Sequence, residues 1–406
     1  MAGSSGTPRT FLQISASAEA GRSGNRWRPS LLCVLWLGML VTCALPNTLD
    51  SIYHQSYARK FILHEPKGYN GTDILPVMMV LHGGTGSAEG TINFTQMDKV
   101  ADTAGFLAVF PQGYATSGKG FNWADGRSGK ADSMGIDDVG FLSALIDTLK
   151  RRMSIDTSRI YVTGISNGAF MTNRLACELS QRIAAIAPVC ATLDVDYFTH
   201  CAPARKVPIL MIMGTKDPFV PYSGGLMSSS GRNIISADTM ISFWRKNNAC
   251  TAAIDSFSFP NIVLDDSSNV TRYVYGHCGC NATVSLYKIT GGGHTWPGVE
   301  IKTYELVAGQ TNMDIYASGE IWNFCKSHSL GCQSANIDHR YISGRQGLFS
   351  NSRETSTLVP VYSPMGRLLA RFELSPLTGA VMLRQLPAGM YLLSTEGRAE
   401  RVHIRP

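Results

Sequence analysis

Residues 159–170 read Arg-Ile-Tyr-Val-Thr-Gly-Ile-Ser-Asn-Gly-Ala-Phe, and the order of textures along this stretch decides the fold. The run 159–164 is β-branched and aromatic and stops at glycine, which predicts a buried strand. From Asn167 to Leu179 the apolar residues fall at helical spacing. The junction is Gly164-Ile165-Ser166-Asn167-Gly168. A Gly-x-Ser-x-Gly pentapeptide says little in a chain with 40 glycines. A strand before it and a helix after it supply the setting in which the serine is lifted onto a strained turn, with glycine on both flanks because a side chain there would strike the neighbouring elements.

The same alternation extends outward. Apolar runs at 74–81, 106–110, 183–189, 208–214 and 283–289 read as strands buried on both faces. Between them 137–152 and 236–245 suit amphipathic helices. Strand–helix alternation implies right-handed crossovers and a mainly parallel sheet covered on both sides. The expected fold is a three-layer α/β sandwich of the α/β-hydrolase kind over residues 45–332.

A serine hydroxyl needs a base, and the base needs an acid to hold its tautomer. On such a sheet the chain order is Ser, acid, His, each on a loop past the carboxyl end of a strand. Ser166 is the expected nucleophile. Asp217 follows the run 208–214 and His294, within Gly-Gly-Gly-His-Thr-Trp-Pro-Gly at 291–298, follows 283–289. Asp194 and Asp196 are rival acids. An oxyanion needs two fixed N–H donors. Asn167 offers one, and Leu-His-Gly-Gly-Thr-Gly at 81–86 offers the other from Gly84, with Thr85 as the alternate. His82 reads as a packed strand-end residue rather than a base. Asp137 and Asp138 open a helix and suit its N-terminal dipole. Trp123, in a glycine-bearing loop at 121–126, and Trp296 are candidates for substrate binding or for plain packing.

Composition bounds the alternatives. Of the 406 residues 44% are hydrophobic and 16% charged, which is the make-up of a chain with a sizeable core rather than a disordered one. The formal charge of +6 sits at the ends: +3 over residues 1–30, +4 over 334–406, and −1 for everything between. A near-neutral body gives no footprint for nucleic acid.

Residues 1–44 have the layout of a secretory signal peptide: Arg26 and Arg28, an apolar run from Leu31, then Thr42 and Ala44. Cleavage there and a lipoprotein-type end at Cys43 both stay open. Export favours disulfides among Cys177, Cys190, Cys201, Cys250, Cys278, Cys280, Cys325 and Cys332. No metal site is expected, because Cys278 and Cys280 are separated by one residue rather than two. Residues 333–352 read as a polar linker, and 353–406 alternate with period two between Gly and Pro turns, the pattern of a small antiparallel β module.

Taken together, the motifs at 81–86, 137–147, 159–177, 214–218 and 291–298 resemble the polyhydroxybutyrate depolymerase-like esterases, a family that includes bacterial feruloyl and acetyl xylan esterases. The resemblance implies a secreted serine esterase with Ser166, Asp217 and His294 as its triad and no cofactor. It also implies a bond from Cys250 to Cys278 or Cys280. The substrate it points to is a feruloyl or acetyl ester on plant cell-wall polysaccharide, with a polyester as the alternative; a non-catalytic surface binding protein is the reading from another class. The segment 353–406 is similar to the sorting domain of the type nine secretion system, which implies secretion machinery as a partner and a secreted or cell-surface location. It departs from that pattern in carrying Arg where Lys is common near its end.

Overall fold

The computed structural model describes residues 47–116, 120–228 and 230–331, and beyond them the backbone of 357–362, 368–374, 389–395 and 398–404. The leader at 1–44, the linker at 333–352 and Cys332 lie outside the described residues. Ten strands form one sheet: β1 Asn47–His54, β2 Tyr57–His64, β3 Leu75–Leu81, β4 Leu107–Pro111, β5 Ile155–Ile165, β6 Ala185–Val189, β7 Ile209–Gly214, β8 Ile254–Ser258, β9 Asn269–Tyr275 and β10 Val284–Thr290. Their order is β1-β2-β4-β3-β5-β6-β7-β10-β9-β8. The six strands from β4 to β10 in that order are parallel. The outer pairs on both sides run antiparallel. With the exchange of β3 and β4 and helices on both faces, this is the α/β-hydrolase fold.

Strand β3 shows why the sheet is covered twice. Val77, Met79 and Leu81 point into one core, where they meet Phe141, Leu145 and Phe170. Met78 and Val80 point into the other, against Met97, Val100 and Trp322. All five strand residues are fully buried, so an uninterrupted apolar run rather than an alternating one is what this position requires.

The helices that fill these layers begin where side chains satisfy their first amides. Helix α1, Ala88–Thr95, is capped by Ser87, and α2 spans Met97–Ala104. Asp137 caps α3, Asp138–Arg152, by accepting from Gly140 N at 2.7 Å. Helix α4 is Asn167–Glu178, and Ser236 caps α5, Ala237–Asn247. Helices α6, Lys302–Ala308, and α7, Ala317–Cys325, close the body. Asp138 stands in the first turn of α3, as expected, and takes on partners beyond the helix. It is wholly buried, pairs with Arg59 and accepts from Ala124 N at 2.7 Å. Burial pushes its carboxyl above the usual range while Arg59 pulls it back.

Disulfides join Cys177 to Cys201 and Cys250 to Cys278. Cys190 and Cys325 are free, buried thiols, so bridging does not take up every cysteine of the body. In the C-terminal region β11 Thr357–Tyr362, β12 Leu368–Leu374, β13 Gly389–Thr395 and β14 Arg398–Ile404 form an antiparallel sheet in the order β12-β11-β13-β14. Among the described residues no helix is long and apolar enough to cross a membrane.

Candidate active site

Pairing across the sheet brings the carboxyl ends of its middle strands into one row: Leu81 beside Gly164, Ile165 beside Val189, Val189 beside Ile212, and Gly214 beside Ile289. Gly84, Thr85, Ser166, Asn167, Asp217 and His294 all follow strands that end in this row. Ser166 leaves β5 at φ 55°, ψ −122°, a conformation that L side chains seldom take. Its amide donates to Val189 O at 3.0 Å, and its carbonyl accepts the amides of Ala169 and Phe170 at 2.8 Å as the first turn of α4. The flanking glycines are required by contact: a Cβ on Gly168 would stand 2.4 Å from the carbonyl oxygens of both Leu81 and His82. Helix α4 can therefore start only against bare backbone, which leaves Ser166 partly buried at the head of the row.

Past β7 and β10 the acid and the imidazole meet. His294 Nδ1 and Asp217 Oδ2 are 2.7 Å apart, and both side chains are buried. The other carboxylate oxygen accepts Phe219 N and Val220 N, each at 2.8 Å. Phe219 stands edge-on to the imidazole at 5.2 Å. With Nδ1 bound to the carboxylate, Nε2 is the nitrogen left for exchange with a hydroxyl. The rival acids are engaged elsewhere: Arg232 bridges Asp194 and Asp196, each at 3.0 Å, and Asp194 also accepts the amides of Asp196 and Tyr197.

Sequence reading counted Cys190 among the disulfide candidates and did not place it at this site; it is a free thiol. It is the first residue after β6, at φ 56°, and its thiol faces the carbonyl of Thr295 at 3.5 Å. Its Sγ, an Asp217 oxygen and a His294 nitrogen all lie within 4.8 Å of one another. Burial and the neighbouring Asp217 charge hold the thiol well above its ordinary range. The thiolate that a soft metal would need is thus disfavoured, and the carboxylate and imidazole already satisfy each other. The signal that would have found Cys190 is positional: it follows a strand on the same sheet edge as Ser166, Asp217 and His294.

On the oxyanion side the 81–86 loop lies against the turn, since a Cβ on Gly84 would stand 3.6 Å from Asn167 Cβ. Thr85 N donates to Asn122 Oδ1 at 3.2 Å. Among the described residues no protein acceptor meets the N–H of Gly84 or of Asn167. His82 is buried; its Nδ1 is 2.7 Å from Gly83 O, and its Nε2 accepts Gly113 N at 2.9 Å. That pattern fixes the neutral Nδ1–H tautomer. Burial, helped by the charge of Arg59, lowers its pKa to about 4.

The tryptophans are not platforms in this structure. Trp123 is 2% exposed and Trp296 0%. The indole N–H of Trp123 donates to His82 O and that of Trp296 to Ser318 Oγ, each at 3.0 Å. Both rings fill core, and a buried indole with its N–H satisfied has no face left for a ligand.

Comparison with known proteins finds one family profile and several curated relatives. The profile of the prolyl oligopeptidase family matches residues 93–204, a span that holds Ser166 but neither Asp217 nor His294. The chain is 31% identical over 246 residues to feruloyl esterase B of Piromyces equi, covering 58% of this chain and 42% of that protein. It is 27% identical over 248 residues to the bifunctional acetylxylan esterase/xylanase XynS20E of Neocallimastix patriciarum, covering 60% and 32%. It is 28% identical over 259 residues to poly(3-hydroxyalkanoate) depolymerase C of Paucimonas lemoignei, covering 58% of each. The chain thus spans less than half the length of the first two proteins.

Proposed function

We propose that this chain is a serine carboxylic ester hydrolase that works through Ser166, His294 and Asp217. The observation that carries the reading is the pairing, on one sheet edge, of a strained serine at a strand–helix junction with a buried imidazole–carboxylate pair. Ser166 Oγ attacks the ester carbonyl while His294 Nε2 takes its proton. The Oγ–acyl bond forms, and the bond to the alcohol breaks as His294 returns the proton to the leaving oxygen. Water repeats the sequence in reverse and frees the acid. Asp217 keeps the Nδ1–H tautomer and offsets the imidazolium charge. The oxyanion lies between the amides of Gly84 and Asn167, a choice favoured because the amide of Thr85, the alternate, is already donated to Asn122.

The substrate class follows the relatives: feruloyl or acetyl groups esterified to plant cell-wall polysaccharide, by similarity to proteins named for those esters. A polyester is the second reading, by similarity to the depolymerase. The two disulfides fit an exported protein, and the C-terminal strands are proposed as a sorting module read by secretion machinery. Turnover of methyl ferulate, acetylated xylan and a poly(3-hydroxybutyrate) film, with a peptide amide alongside, decides among these. Release of ferulate or acetate with an inert film is expected. Amide cleavage faster than ester cleavage would discard the esterase reading.

A further inference from the structure

Two residues of one loop are tied to the turns that carry Gly84 and Asn167, and neither belongs to the triad. Residues 120–127 run beside the 81–86 loop and the first turn of α4. Phe121 N donates to Gly86 O at 3.3 Å. Gly120, at φ 98°, passes so close that a Cβ would lie 2.1 Å from Thr85 O. Asn122 Oδ1 accepts Thr85 N at 3.2 Å while its Nδ2 donates to Thr116 Oγ1 at 2.9 Å. This fixes the loop that carries Gly84 from one side.

The other side is fixed through Asn167. Its side-chain carbonyl accepts Trp123 N at 2.8 Å, and its amide nitrogen donates to Trp123 O at 3.2 Å and to Asp125 Oδ2. Asp125 is 3% exposed, and a carboxylate buried that far is costly unless paired. Its partner is Arg127, whose Nε and Nη2 reach Oδ2 at 2.9 and 2.6 Å. The Arg127 guanidinium lies 3.9 Å from the centre of the Phe170 ring, within the first turn of α4. The loop itself cannot drift: Ala124 N donates to Asp138, Ala124 O accepts from Arg174, and Gly126 N donates to Asp132. A buried carboxylate, a guanidinium and an asparagine amide are more than is needed to tie down a surface loop. They meet at Asn167, whose main-chain N–H has no protein acceptor among the described residues.

We infer that the 120–127 loop sets the separation of the Gly84 and Asn167 amides, with Asp125 and Asn122 as positioning residues for the oxyanion. This rests on the esterase reading above. It assigns them an effect on the transition state alone: the ground-state ester carries no oxyanion and is bound without them.

The test uses the whole chain and the variants Asp125→Asn and Asn122→Ala, with kcat counted per Ser166 labelled by a fluorophosphonate. For Asp125→Asn, kcat on p-nitrophenyl acetate should fall about 10- to 100-fold, less than the 10²–10³ of losing a donor outright, with KM changed by less than about twofold. Affinity for a trifluoromethyl ketone, which forms a charged adduct at Ser166, should fall in parallel. The pH dependence of kcat should keep its shape, because the His294–Asp217 contact is untouched. Asn122→Ala removes the ties to Thr85 and Thr116 but leaves the Asn167 contacts in place; it should show a smaller loss of the same kind, and it carries the test if Asp125→Asn does not fold. Lowered thermal stability with kcat per labelled site within about threefold of wild type in the folded variants would overturn the inference and leave the esterase standing. A wild-type chain that neither takes the label at Ser166 nor turns over any ester would instead fail the esterase reading, and the inference with it.

Discussion

Ser166 and Asn167 stand on a backbone turned to φ 55° at the serine, and the Asn167 side chain ties them to partners 42 and 44 residues away along the chain. Asp217 and His294, across the site, have no positive φ between them. They are tied by the amides of Phe219 and Val220, two and three residues past the carboxylate, and by each other. The nucleophile half is thus held by distant polar side chains against local strain, while the acid–base half is held by its own main chain. Strain has to be over-determined from outside. A carboxylate cradled by nearby amides needs no such help. The two halves should therefore fail differently when altered.

The largest effect belongs to the nucleophile itself. Ser166→Ala should cost on the order of 10⁶ in turnover with folding intact, since a turn serine contributes little packing. More than about 1% residual activity in purified protein would remove Ser166 from the mechanism. Next, Asp217→Asn should lower kcat by up to about 10⁴ through the wrong imidazole tautomer, whereas Asp194→Asn, whose residue is bridged by Arg232, should leave kcat close to wild type. If the asparagine at 194 matches the one at 217, the acid–base half has been drawn in the wrong place.

Stability against pH probes the nucleophile half. His82 protonates near 6.5 when unfolded but only at about 4 in the fold. Above pH 6.5 both states are neutral and nothing is lost. As pH falls below 6.5 the unfolded chain takes the proton first, and stability drops until about pH 4, by about 3 kcal/mol at most. Burial shifts His328 in the same direction. Melting temperatures between pH 7 and 4 should show the decline, and His82→Gln should flatten it; an unchanged slope in that variant would mean His82 is not its source.

The smallest effect should come from Cys190→Ser. Its thiol touches the acid–base half, but Asp217 keeps two main-chain donors without it. A change in kcat of less than about threefold is expected. A larger one would show that half to lean on a side chain after all and would erase the contrast.

How much of this the sequence carried depends on distance. The strand, turn and helix at 159–179 were legible because each is a local pattern, though the strand starts earlier, at Ile155. Asp217 and His294 were legible because each follows a strand, and a strand's end fixes where its loop emerges. The N-terminal hairpin was not: its turn is Gln55-Ser56, both at positive φ without the Asn or Gly that marks such turns. Trp123 and Trp296 read equally well as platform or packing, and only tertiary partners for their N–H groups decide for packing. Asn122 and Asp125 sat in a loop already singled out for its tryptophan, yet their partners lie 37 and 42 residues away. The bond from Cys250 to Cys278 was one of two options implied by resemblance, and the bond from Cys177 to Cys201 had no sequence signal.

The His294–Asp217 contact closes across 77 residues, and β10, whose following loop carries the histidine, seats in the sheet between its hairpin partner β9 and β7, a parallel neighbour far back in the sequence. Long-range pairing of this kind is slow to form, because chain closure must come before its contacts hold. A partly wound chain can present the serine turn, but without β10 it has no base. During refolding, helical signal should return ahead of ester turnover, and the lag between the two measures how late the last parallel strand arrives.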